Sequence, residues 1–394
     1  MFEHIQWPDG IDQQRFLSEY WQQKPLLIRQ ALPDFQTPLP ADELAGLSLE
    51  PDTTPRLILK DASGDYHLEH GPFEAERFDS LTDNNWSLLV TDVEKHVPEL
   101  ATYLRPFSFL PNWRIDDLMI SYAPVGASVG AHVDEYDVFL LQASGTRRWS
   151  IDVRTSSCVV EDADSASASG DGENPTVDID NAADLKLISA FEASDTWELA
   201  PGDLLYLPPG VPHHGVASGE PCTTWSIGFR APALNDFAMR IAEMIAESLP
   251  ARRFRDGQLS NAVPGEITRQ ALAQFESNWR ESMTIDSDLL ATLTGQFLTE
   301  SGEAQAYDAG EPDTLTPLDH QQRRVAPFCK VAWRQPNVST DFVQLFANGD
   351  VFKCSRLLAI QLCSVDALID STSADYDERD RHVLAELYNA GCIV

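Results

Sequence analysis

Between Gly130 and Trp149 the chain runs Gly-Ala-His-Val-Asp-Glu-Tyr-Asp-Val-Phe-Leu-Leu-Gln-Ala-Ser-Gly-Thr-Arg-Arg-Trp, a His-x-Asp pair leading into an apolar strand pattern and a Gly-containing turn. On an extended strand residues i and i+2 share a face. His132 and Asp134 can therefore aim an imidazole and a carboxylate at one point while Val133 turns away. Two His and one carboxylate bind one side of a non-haem Fe(II) and leave its other positions open. The second His must then come from a distant strand, so the fold has to bring remote strands together. Pro208-Pro-Gly-Val-Pro-His-His-Gly215 offers it, and spacing alone leaves both His213 and His214 eligible.

The surrounding pattern is of short strands with Gly and Pro turns. A helix through Phe16, Leu17, Tyr20 and Trp21 precedes a strand at Leu26-Leu27-Ile28, and Leu57–Leu59 and Tyr66–Leu68 read as a hairpin. Trp86–Val90 and Asp116–Tyr122 read as strands, and Val93–Leu104 as a helix. Val138–Gln142 and Arg147–Val153 read as two strands joined by Ala143-Ser-Gly-Thr146, a loop with hairpin chemistry. Further strands are expected at Thr196–Leu199, Asp203–Leu207 and Thr223–Phe229. This predicts an antiparallel double-stranded β-helix, or jelly roll, with a metal site between its strands.

After Pro232 the pattern turns helical. Phe237, Ile241, Met244, Ile245 and Leu249 make one apolar face, and further helices are expected over Ile267–Trp279 and Asp286–Leu298. Gly302–Pro317 reads as an acidic linker. Beyond it, Asn348-Gly349 between Phe342–Phe346 and Val351–Lys353 is a strong hairpin signal, with helices at Leu357–Leu368 and Arg381–Tyr388. Such a module is winged-helix-like. Three regions are expected: 1–232, 233–305 and 306–394.

Charge limits the partners. The 394 residues carry 28 basic and 62 acidic side chains, a net charge of −34. That field repels phosphate backbones and anionic membranes and favours basic proteins, so no direct nucleic-acid binding is expected. The segment 161–184 holds eight acidic residues and no basic one, which predicts a mobile surface loop; the sharper alternative is a flap that attracts a basic substrate. Six scattered cysteines without a C-x-x-C pair fit a reducing cytoplasm. Neither a signal peptide nor a membrane-length apolar run is expected.

Iron held by three protein ligands keeps room for a bidentate 2-oxo acid and O2. The distal carboxylate of 2-oxoglutarate needs a buried cation, and the planar fork of Arg suits it. Arg147 and Arg148 alternate on the strand after the His-x-Asp pair, so one of them points into the barrel; Arg230 is a weaker candidate.

These residues resemble the bacterial JmjC-type ribosomal oxygenases, a cupin-like family. The resemblance runs through Trp113-Arg-Ile-Asp-Asp-Leu-Met-Ile-Ser121, Gly130–Phe139, Arg147-Arg-Trp149, Pro201-Gly-Asp-Leu-Leu-Tyr-Leu-Pro-Pro-Gly-Val-Pro-His213 and Ser226-Ile-Gly-Phe-Arg-Ala-Pro232. It extends to Phe16-Leu-Ser-Glu-Tyr-Trp-Gln-Gln-Lys-Pro-Leu-Leu-Ile28, Leu44-Ala-Gly46 and Gly71-Pro-Phe73, and so covers about residues 10–232 closely. It implies a JmjC barrel, a helical dimerisation region giving a homodimer, and a winged-helix C-terminal domain. It makes His132, Asp134 and His213 the iron ligands and Arg147 the partner of 2-oxoglutarate. The implied activity is hydroxylation of an arginyl residue of a basic large-subunit ribosomal protein, the sixteenth. The alternatives are a histidyl hydroxylase of another ribosomal protein and a non-catalytic cupin-like assembly factor. An acidic and aromatic mouth for a guanidinium could come from Asp116, Asp117, Tyr122, Glu135, Tyr136 and Asp137.

Overall fold

Local sequence rules account for the first elements. A computed structural model of the protein describes residues 2–81, 84–154, 179–182, 185–188, 191–248, 253–255, 265–282, 286–300, 322–337, 340–364 and 368–394. It divides into two compact units, Met1–Ala231 and Pro232–Val394. In the first, the Asp12 carboxylate caps helix α1 (Gln13–Glu19) by accepting the Arg15 N–H at 2.7 Å. Strand β1 (Leu26–Ile28), helix α2 (Ala41–Leu47), the hairpin β2 (Pro55–Lys60) and β3 (Tyr66–His70), helix α3 (Ala75–Asp79) and strand β4 (Trp86–Val90) follow. The helix expected over 93–104 is short: α4 (Val93–His96) stops before Pro98, and the chain continues as a 3-10 helix over Pro98–Phe107. Val97, preceding a proline, is pushed out of the helical region to φ −124°.

Strands β5 (Ile115–Ala123), β6 (Asp137–Ile151), β7 (Ile179–Ala182), β8 (Leu185–Ile188), β9 (Asp195–Leu199), β10 (Leu204–Leu207) and β11 (His213–Phe229) complete the unit. Among the described residues, nine strands form one antiparallel sheet in the order β1-β10-β6-β11-β5-β4-β2-β3, with β9 also on β6. Strand β10 shows why it sits inside: Leu204 and Tyr206 pack on one side with Phe16, Phe139, Trp225 and Phe229, while Leu205 and Leu207 pack on the other with Val138, Leu140 and Trp149. Both faces are buried, so the strand is apolar throughout.

The hairpin expected at Ala143–Thr146 does not form. β6 is one strand of 15 residues, and β11 pairs with it on both sides of that segment, from His213↔Ile151 to Phe229↔Asp137. The Gly signal marks a bulge instead. The register shifts at Ser218/Thr223 and Thr223/Thr224, Gly145 has φ +61°, and a Cβ there would stand 2.3 Å from the Pro221 carbonyl oxygen. An extra residue in one strand flips the faces of everything beyond it. Val138 and Leu140 face the interior before the bulge, and Arg147 and Trp149 face it after.

Most of the acidic segment lies outside the described residues. Its residues 179–182, however, form β7, which pairs with β8. A strand therefore stands where composition predicts a loop, because a backbone partner leaves no mark on composition.

In the second unit, helices α5 (Leu234–Ser248) and α7 (Ser287–Thr299) pack through Ile241, Ile245 and Leu293, with α6 (Arg269–Ser282) between them in sequence. Strands β12 (Gln322–Arg323) and β16 (Ile369–Asp370) pair. Strands β13 (Val331–Arg334), β14 (Val343–Ala347) and β15 (Asp350–Cys354) form an antiparallel sheet, with the β14–β15 turn at Asn348-Gly349. Helices α8 (Arg356–Leu362) and α9 (Glu378–Asn389) close its core. The linker expected at 302–317, the boundary near 305 and residues 365–367 of the expected helix to Leu368 lie outside the described residues.

Candidate metal centre and its cavity

His132 leaves the loop before β6 and meets the start of β11. Its backbone N–H donates to the His213 carbonyl and its own carbonyl accepts the His213 N–H, each at 3.0 Å, which sets the two rings side by side with centroids 4.2 Å apart. Asp134 follows two residues later, with Oδ2 3.5 Å from His213 Nε2. The ligand atoms of His132, Asp134 and His213 all lie within 4.8 Å of one another. Each ring has its other nitrogen engaged: His132 Nδ1 lies 3.1 Å from the Gly130 carbonyl, and His213 Nδ1 2.9 Å from that of Val211. A carbonyl can only accept, so Nδ1 carries the proton and Nε2 keeps its lone pair. Burial, then the neighbouring His132, pulls His213 down to about 4. It is therefore neutral near pH 7, and its approach to Asp134 is that of two ligands facing one point rather than an ion pair. His214, next on the strand, turns to the other face and meets Phe191 edge-on with centroids 6.0 Å apart.

The three groups line a cavity of about 370 Å³, together with residues of β2, β4, β5, β6, β8 and β11. Arg147 lies in its wall and is 2 % exposed. Nη1 donates to Ser121 Oγ at 3.2 Å and Thr224 Oγ1 at 3.4 Å, and Nη2 to the Gly215 carbonyl at 3.3 Å, while Nε has no partner. Among the described residues no carboxylate pairs with it. Gly215 leaves room for the guanidinium, since a Cβ there would stand 2.7 Å from Arg147 Nε. Burial lowers the pKa of this guanidinium, and leaving it without a counter-ion is costly. The cavity is thus built for an anion. Arg148 is exposed, which separates the two candidates, and Arg230 does not line the cavity.

Of the six mouth candidates, Glu135 and Tyr136 line the cavity. Asp117 shares the face of β5 that carries the lining residues Met119 and Ser121, whereas Asp116 and Tyr122 fall on the opposite face. Asp137 is fully buried elsewhere, accepting from Tyr206 Oη at 2.6 Å and from Gln22 Nε2 and Arg114 Nη2 at 2.9 Å. Burial pushes Asp117 up to about 7, with Asp116 and Asp92 adding to the rise. Burial, then Asp134, raises Tyr136. Sequence reasoning missed Arg56 and Leu187, both in the wall. Arg56 had a signal, as the one polar side chain in the apolar alternation Pro55-Arg-Leu-Ile-Leu; Leu187 had none.

Residues 102–237 match the JmjC domain family, and 191–292 match the AraC-like ligand binding domain. The chain is 37 % identical over 299 residues to the ribosomal protein uL16 3-hydroxylase of Escherichia coli K12, covering 75 % of this chain and 72 % of that one. It is 34 % identical over 229 residues to a probable ribosomal oxygenase of Haemophilus influenzae, covering 58 % and 52 %. Among solved structures, that of E. coli ycfD superposes with a TM-score of 0.76 at 28 % identity over 99 % of both chains. YcfD in complex with cobalt and 2-oxoglutarate superposes at 0.73 and 27 % over the same shares. The mainly antiparallel β architecture of the first unit is thus the JmjC, cupin-like fold, and the chain belongs to the family of JmjC-domain ribosomal oxygenases.

Proposed function

We propose that the protein is an Fe(II)- and 2-oxoglutarate-dependent oxygenase that uses O2 to hydroxylate an arginyl side chain of a basic large-subunit ribosomal protein, the counterpart of uL16. The donor set fits the metal: His132 Nε2, His213 Nε2 and an Asp134 oxygen suit a non-haem Fe(II) with open positions. Arg147 fits the co-substrate, because its buried guanidinium has no carboxylate partner among the described residues and its planar fork suits the distal carboxylate. When bound, iron and the 2-oxo acid together supply the oxidising chemistry. The protein's own part is to fix both imidazoles by their Nδ1–H bonds, hold the acid through Arg147, Ser121 and Thr224, and keep water out with Val138, Leu140 and Trp149.

An arginyl target is favoured by the sign of the mouth. Tyr136 lies in the field of Asp134, Asp117 and Asp116, which attracts a guanidinium, and the −34 charge favours a basic protein. The observation that carries the reading is the ligand triad sharing one cavity with an unpaired buried Arg147. The test supplies Fe(II), 2-oxoglutarate and O2 with the uL16-type protein, and locates the added oxygen by peptide mass spectrometry. Succinate formation with the oxygen on Arg supports the reading; oxygen on His supports the histidyl alternative; no succinate with any basic ribosomal protein overturns both.

A homodimer is part of this proposal. In the second unit α6 exposes Leu272, Phe275 and Trp279, the last 63 % accessible, and an apolar face of that kind is normally covered. Sedimentation tests it. The proposed site of action is the cytoplasm; among the described residues no helix is long and apolar enough to cross a membrane.

A further inference from the structure

Strand β5 carries Met119 and Ser121 of the cavity wall, with Asp117 preceding them on the same face of the strand. Its ladder with β4 runs only from Leu88↔Tyr122 to Val90↔Ile120 and stops short of Leu118. There a side chain stands in for the strand: Glu94 of α4, 7 % exposed, accepts the Leu118 N–H on Oε2 at 3.0 Å. On the other edge, the pairing of β5 with β11 shifts register between Ile227 and Phe229, leaving Gly228 between them. A Cβ on Gly228 would stand 2.7 Å from Asp117 Oδ1. Asp117 is therefore bracketed by a side-chain clamp on one edge of its strand and by a missing side chain on the other.

We propose that Glu94 is a positioning residue for substrate recognition: by holding Leu118 it fixes the adjoining Asp117 carboxylate and Met119 at the cavity mouth, where the target guanidinium enters. This rests on the arginyl hydroxylase reading. Burial pushes Glu94 up to about 8, with Asp117 and Asp92 adding to the rise and the Leu118 N–H opposing it. Around Asp117, Asp116 and Asp92 raise its pKa while Lys95 and Arg56 lower it. Glu94 is then mostly protonated near pH 7, so it clamps as an acceptor rather than as a charge, and a Gln amide oxygen can do the same. Ala cannot, and leaves a buried N–H without a partner.

The experiment compares Glu94→Gln, Glu94→Ala and Gly228→Ala with wild type in three readouts. For an arginyl peptide of the target, Glu94→Ala and Gly228→Ala raise KM about tenfold while Glu94→Gln stays within about twofold, with kcat and the KM for 2-oxoglutarate little changed. Amide hydrogen exchange at Leu118 is slow in wild type and Glu94→Gln and at least about tenfold faster in Glu94→Ala, whatever the enzyme's substrate proves to be. The charge-transfer band of iron with 2-oxoglutarate forms in all four proteins. If the band is absent from wild type, the hydroxylase reading fails and the inference with it. If the band forms but Glu94→Ala keeps the wild-type peptide KM, or Glu94→Gln loses as much as Glu94→Ala, the inference alone is overturned. Should Glu94→Ala not fold, Gly228→Ala and Glu94→Gln decide it: a wild-type KM in Gly228→Ala, or a tenfold rise in Glu94→Gln, overturns it.

Discussion

The Arg147 guanidinium carbon lies 5.0 Å from the centroid of the Trp149 ring, two residues further along the same face of β6. The ring supplies a weak counter-charge where no carboxylate does, and it also reaches His213, whose ring centroid is 5.8 Å away. One indole thus touches both the anion-binding and the metal-binding ends of the cavity. Replacing Arg147 by Met separates function from stability: the KM for 2-oxoglutarate rises by about a hundredfold, while thermal stability is unchanged or rises by about 1–3 kcal/mol because an unpaired buried charge has been removed. Succinate kinetics and calorimetry on one preparation check both.

The two adjacent histidines differ in which way they face. His213→Ala removes a ligand and abolishes the charge-transfer band in an anaerobic titration with Fe(II) and 2-oxoglutarate. His214→Ala keeps it, with affinities within about threefold of wild type. Loss in both variants would sink the assignment of His213 as the ligand.

Glu94 predicts a pH slope. Its folded pKa, about 8, stands above its ordinary 4.5, so its stabilising contribution is whole below about pH 4.5 and is lost as the pH rises through about 8. Asp117, raised to about 7, acts in the same sense. Wild type should lose on the order of a few kcal/mol between pH 5 and 8 through these groups. Glu94→Gln should flatten that loss in urea titrations at the two pH values; an unchanged slope would show that Glu94 stays ionised in the fold.

Asp137 ties the N-terminal segment to the barrel, joining Gln22, Arg114 and Tyr206 at one carboxylate. Asp137→Ala leaves Arg114, itself 14 % exposed at the side chain, without its ion-pair partner. Breaking a buried pair from one side costs about 3–5 kcal/mol. Urea unfolding should show that loss, with iron binding retained in the folded fraction.

Much of this was legible in the sequence because strand periodicity is short-range. His132 and Asp134 share a face by alternation, and the Pro-Gly turn before His213 announces a loop that returns the chain. Alternation alone could not choose between His213 and His214, or between Arg147 and Arg148, because each depends on register against a strand far away in sequence; the family resemblance pointed to His213 and Arg147. Alternation also misled at Ala143–Thr146, where the same Gly chemistry serves a reversal or a bulge, and only the presence of β11 across it decides. Glu94 was invisible for a like reason, since its function lies in where β4 ends.

The bulge at Gly145 makes the site depend on a count rather than on a side chain. Deleting Gly145 would leave every ligand and every charged residue in the sequence, yet turn the strand beyond it by half a repeat and present Arg148 to the cavity with Arg147 outside. Length at this one position is therefore under the same constraint as chemistry elsewhere: the segment cannot gain or lose a residue without a compensating step in β11.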